Sequence, residues 1–157
     1  MPDLDAEAAA AAEETDDDAV PCVRRLDELV RLVRARPGLF VRYSKGPDDD
    51  RRHTSRDYES GLELPGLSTN PLDPEKWWSR PLEDWLSRRL CQYAHLDDEE
   101  GDGRQAWVLE GTVVGHGPDN EPLVELRRPV AFISEEVVAE AKRVYEERFD
   151  VASDSTE

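Results

Sequence analysis

Apolar residues at Val23, Leu26, Leu29, Val30 and Val33 recur at helical spacing and predict a first helix over residues 21–36. Pro21 suits its first turn and Pro37-Gly38 stops it. Residues 39–44 alternate instead. Leu39, Val41 and Tyr43 share one face, Phe40, Arg42 and Ser44 the other, so this is a strand that carries an arginine. A charged loop over 47–60 follows, with Asp48-Asp49-Asp50 beside Arg51-Arg52. Leu62, Leu64 and Leu67 around Pro65-Gly66 predict a short strand or an ordered, partly buried loop.

The stripe Leu82, Trp85, Leu86, Leu90 and Tyr93 predicts a second helix over 81–96, with Glu83 and Asp84 favourably placed in its first turn. Residues 106–115 and 123–133 read as two strands joined by a turn-rich loop, an antiparallel hairpin in which Gly111 marks a bulge or a close packing point. Ser134 with Glu135 and Glu136 opens a last helix whose buried face is Val137, Val138, Ala141, Val144, Tyr145 and Phe149. The expected fold is α+β, a small antiparallel or mixed sheet with about three helices packed on it.

Charge changes the picture at the ends. Of the 37 acids in this 157-residue chain, eight lie in residues 1–19, where there is no base, and three in residues 150–157. All 20 bases and 26 acids fall in residues 20–149, so the net charge of −17 comes largely from the ends. Two disordered acidic tails, 1–19 and 150–157, are expected around one domain, 20–149. The negative balance disfavours nucleic acid and anionic membrane surfaces as partners. No stretch approaches the roughly 20 apolar residues of a membrane span. Cys22 and Cys91 are the only cysteines, which is no disulfide framework, and a cytoplasmic location is the default expectation.

Candidate chemistry is sparse. Arg42, Ser68 with Thr69, and Glu121 fall at strands or strand edges in an order compatible with an NAD-consuming transferase of the ADP-ribosylating kind, or a hydrolase. There the arginine would hold a pyrophosphate, the Ser-Thr pair would support the site, and the carboxylate would stabilise charge developing on the sugar. The plainer expectation is that Arg42 pairs with a nearby acid. The loop at 115–121, with His116, Asp119 and Asn120, would serve as a ligand loop or simply as a hairpin turn. Cys91 and His95 share a helix face, but two ligands make no zinc site and no metal is expected. Adjacent Trp77 and Trp78 in an irregular segment would line a ligand or partner surface; the plainer expectation puts one in the core and the other over a helix edge.

Several segments taken together carry a resemblance: Phe40-Val41-Arg42-Tyr43-Ser44-Lys45-Gly46-Pro47, Leu64-Pro65-Gly66-Leu67-Ser68-Thr69-Asn70-Pro71-Leu72, Trp77-Trp78, Trp85 through Tyr93, Trp107-Val108-Leu109, and Gly117-Pro118-Asp119-Asn120-Glu121-Pro122-Leu123-Val124. Over about residues 25–145 the chain resembles a family of small acidic actinobacterial proteins classed as a domain of unknown function. The resemblance implies a bacterial cytoplasmic protein and carries over no activity. The leading expectation is therefore a non-enzymatic binding or regulatory module without a cofactor, using Trp77, Trp78, His116, Asp119 and Asn120. NAD enters only under the alternative of an enzyme using Arg42, Ser68 and Glu121.

Overall fold

The computed structural model describes residues 20–52, 55, 60–100 and 103–149, with the side chains of 95–100 excepted. The tails expected at 1–19 and 150–157, and the side chain of His95, lie outside the described residues. Among the described residues six strands and four helices follow one another in the order β1 (Cys22–Val23), α1 (Leu26–Ala35), β2 (Phe40–Ser44), α2 (Pro47–Asp50), β3 (Leu67–Ser68), β4 (Asn70–Pro71), α3 (Leu82–Glu100), β5 (Gln105–His116), β6 (Pro122–Ile133) and α4 (Glu135–Arg148).

The β5–β6 hairpin is the spine of the sheet. β6 pairs antiparallel with β5 from Pro122 to Ile133, and β2 adds antiparallel to the lower half of β5, Phe40 opposite Leu109 and Ser44 opposite Gln105. Residues 67–71 then close the sheet on itself. Their first half pairs with β6 (Leu67 opposite Val124) and their second with β2 (Val41 opposite Asn70). The result is a curled, mixed sheet with two separately packed faces. Val41, Ala106, Val108, Ala131 and Ile133 face the helix layer of α1, α3 and α4, joining Leu26, Leu29, Trp85, Leu86, Leu90, Val137, Val138 and Ala141 in the main core. Leu67, Trp107, Leu109 and Val124 fill the inside of the curl, with Phe40, Leu126 and Phe132 packed against them. The period-2 alternation of β2 and β5 sends successive side chains to these two cores.

Two expectations are corrected. The first helix begins at Leu26 rather than Pro21. The carbonyls of Pro21 and Val23 accept from the N–H groups of Phe132 and Ser134, so Cys22–Val23 runs parallel to the end of β6. Val23 is buried there, in phase with the helical stripe, which is why periodicity alone extends the helix through it. Glu140 of α4 then caps α1, its Oε1 accepting from the Leu26 N–H at 3.0 Å. The second correction concerns 47–60, where Pro47–Asp50 forms a helical turn and Asp50 is buried.

Leu62, expected in a partly buried segment, is exposed, and of the face expected to be buried on the last helix Val144, Tyr145 and Phe149 are only half-buried. Ser134 caps α4, its side chain accepting from the Val137 N–H. Register shifts in the hairpin flank Gly111, where a Cβ would come within 2.2 Å of Val124 Cγ1. Tyr93, stacked on Tyr43 at 5.2 Å in the main core, has its pKa pushed up by burial.

Candidate functional site

Two groups of polar and aromatic side chains stand out, and they occupy different parts of the molecule. The first is built around Arg42. Alternation along β2 turns Arg42 and Ser44 toward the inside of the curl, where a guanidinium needs a counter-charge. Asp50, on the turn that follows β2, supplies it. Arg42 Nε donates to Asp50 Oδ2 at 2.7 Å and Nη2 to Asp50 Oδ1 at 3.3 Å, a forked pair in which the side chains are only 15 % and 3 % exposed. Arg42 Nη1 donates to Ser55 Oγ and to the Ser68 carbonyl, at 3.1 and 2.9 Å. The Ser44 hydroxyl donates to Asp50 at 2.6 Å and accepts from Trp107 Nε1 at 2.9 Å. Three of the guanidinium's nitrogens are therefore spent on the protein itself.

The same group reaches Glu121. The Ser68 hydroxyl donates to Glu121 Oε2 at 2.9 Å, and Glu121 Oε1 accepts from the Asp119 N–H at 2.9 Å. Gly117 leaves room for this, since a Cβ there would lie 2.3 Å from Glu121 Oε2. The structure thus brings Arg42, Ser68 and Glu121 into one hydrogen-bonded run, with Ser68 in the middle. Thr69 is buried and bonds to the Pro122 carbonyl, so it belongs to the closure of the sheet. His116, Asp119 and Asn120 sit exposed at the hairpin tip, where Asn120 adopts a positive φ of 64°.

The second group lies on the helix layer. Trp77, Trp78 and Trp85 meet edge to face, their ring centroids 5.1 to 6.3 Å apart. Trp85 is buried, Trp78 half-buried, and Trp77 is 63 % exposed. Phe149 extends the aromatic surface, 6.2 Å from Trp78 and stacked on Tyr145. Arginines cover it: Arg88 over all three indoles, Arg89 over Trp85, Arg80 over Phe149. An ion network clasps the edge, with buried Asp84 held by Arg80 and Arg148, and Glu83 also on Arg148. Trp77 Nε1 donates to Glu75 and Trp78 Nε1 to the Pro81 carbonyl, whereas Trp85 Nε1 has no acceptor among the described residues.

Among the described residues no hydrogen bond, ion pair or ring contact joins the Trp77–Trp78 group to His116, Asp119 or Asn120. Nor do those residues hold a group of three or more metal-ligating side chains. Sequence reading missed Asp50 and Ser55 as partners of Arg42, since a run of three aspartates gives no sign of which one turns inward. It also missed Arg88, Arg89 and Phe149. The spacing of Trp85, Arg88 and Arg89 at i, i+3 and i+4 carried that signal for the first two.

These features define an α+β protein with a curled mixed sheet, an internally braced arginine and an aromatic surface. The chain belongs to a family of unknown function, DUF6098, whose model matches residues 16–156. No curated protein and no solved structure matches it. No helix among the described residues is long and apolar enough to cross a membrane.

Proposed function

We propose that this protein is a non-catalytic binding or regulatory module, and that its contact surface is the Trp77–Trp78 face. One observation carries the reading. Trp77 leaves 63 % of its surface to solvent while its ring is held against two other indoles and its Nε1 is tied to Glu75. A large apolar side chain held still in water is costly to leave uncovered and loses little entropy on being covered. Tryptophan and arginine are also the residues that most often dominate binding energy at protein interfaces. Replacing Trp77 by Ala is expected to weaken capture of the partner by about 30-fold or more, the size of an interface hot spot of roughly 2 kcal/mol. Pulldown from lysate with wild-type and variant chains checks it, with circular dichroism to establish that both are folded. An unchanged set of captured proteins counts against the reading.

A second reading, an NAD-consuming transferase or hydrolase, draws support from the hydrogen-bonded run through Arg42, Ser68 and Glu121. In it Glu121 would hold the ribose, and Arg42 would have to release Asp50 to grip a pyrophosphate. This reading predicts release of nicotinamide from NAD by the wild-type chain and none by Glu121→Gln. Absence of release from the wild-type chain removes it.

A further inference from the structure

On the Trp77 face the positive charges are uneven in their pairing. Arg80 and Arg148 at its edge are both tied to Asp84. Arg88 and Arg89, at its centre, make no ion pair among the described residues. Arg88 is exposed, with its guanidinium carbon 5.9, 5.7 and 5.7 Å from the ring centroids of Trp77, Trp78 and Trp85. Arg89 lies 5.0 Å from the Trp85 centroid and spends one donor, Nε, on the Pro71 carbonyl. Burial pushes its pKa down, the sign of a guanidinium that has lost water without gaining a full counter-charge. Glu75 is within electrostatic range of it, but its carboxylate is engaged by Trp77. Beneath both arginines, buried Trp85 holds an indole N–H with no acceptor among the described residues. In a chain of net charge −17, two neighbouring arginines without an ion pair thus lie over one aromatic cluster.

We infer that the occupant of this face is a carboxylate-bearing peptide segment of another protein, with an apolar side chain on Trp77 and an acid on Arg88 and Arg89. The inference rests on the reading of this face as a docking surface and names its partner. The forked donors of arginine match a carboxylate, and their contact with the rings orients them while leaving N–H groups free at the edge. The overall negative charge selects between anions. It repels a phosphate dianion about twice as strongly as a carboxylate and disfavours a polyphosphate backbone still more. The exposed ring of Trp77 beside the two cations asks for an apolar and an acidic side chain close together, which a peptide supplies.

The test uses the full chain labelled with nitrogen-15, whose four tryptophans give four indole N–H signals. The probe is a capped octapeptide of alternating leucine and glutamate. Saturable shifts of the Trp77 and Trp78 signals are expected, assigned with Trp→Phe variants. Arg88→Gln and Trp77→Ala should each weaken binding tenfold or more, and a peptide with glutamine in place of glutamate should fail to bind. Equal binding of the glutamine peptide overturns the acidic partner while leaving the docking face standing. Tighter binding of a phosphoserine peptide overturns the choice of carboxylate. If a chain ending at Phe149 binds the probe more than tenfold tighter, its own residues 150–157 are the occupant and the inference fails. No shift with any peptide overturns the inference as well. The docking reading itself falls only if lysate capture is also independent of Trp77.

Discussion

Replacing Arg42 by methionine should cost about 3–5 kcal/mol of stability, because it leaves Asp50 buried without its counter-charge. Among the described residues Asp50 would keep only the Ser44 hydroxyl as a side-chain donor, and Ser55 and the Ser68 carbonyl would lose the Arg42 donor. For a domain of this size the loss corresponds to a fall of roughly 10–15 °C in Tm, read by calorimetry. The double variant Arg42→Met, Asp50→Leu separates the pair's net worth from the penalty of breaking it. It should recover most of the loss, since a buried ion pair and an apolar pair of similar volume are often close in stability. A stable Arg42→Met variant would mean that Arg42 is held for a ligand instead of for the fold.

Gly111→Ala should be nearly as damaging, at about 3 kcal/mol, which is the upper end for overpacking. The added Cβ would lie 2.2 Å from Val124 Cγ1 and 2.5 Å from the Glu125 carbonyl oxygen. Val124 is fully buried inside the curl, and the carbonyl belongs to the paired strand β6. Neither can retreat without moving the hairpin. Trimming Val124 to Ala in the same chain should relieve only part of the strain, since the carbonyl remains. Urea unfolding of the single and double variants measures both values. A Gly111→Ala chain of wild-type stability would show that β5 and β6 do not approach as closely as described.

The three main helices and the hairpin were legible because amphipathic stripes of ten or more residues leave little choice of face. Leu82, Trp85, Leu86, Leu90 and Tyr93 could bury themselves together only on a helix. Gly111 was legible for the same reason that it is sensitive, since an isolated glycine in a strand marks close approach. What could not be read was set by distant partners. Cys22–Val23 is a strand only because β6 offers free N–H groups beside it. Residues 67–71 close the sheet because β6 and β2 present edges to both halves of one short segment, which a local pattern of five residues does not encode. The same limit governed the candidate sites. Pairing of Arg42 with a nearby acid was foreseeable, but the choice of Asp50 depends on the turn that buries it. Trp77 and Trp78 drew attention as neighbours. Their meaning came from Trp85 and Arg88, which join them only once α3 is folded against the segment before it.

Capture from lysate by three chains side by side, wild type, Trp77→Ala and Glu121→Gln, tests the central claim most directly. If this is a module that docks through its aromatic face, Trp77→Ala loses the partner that wild type and Glu121→Gln both retain. Loss with Glu121→Gln and retention with Trp77→Ala would contradict the account and move the function to the hairpin side of the sheet.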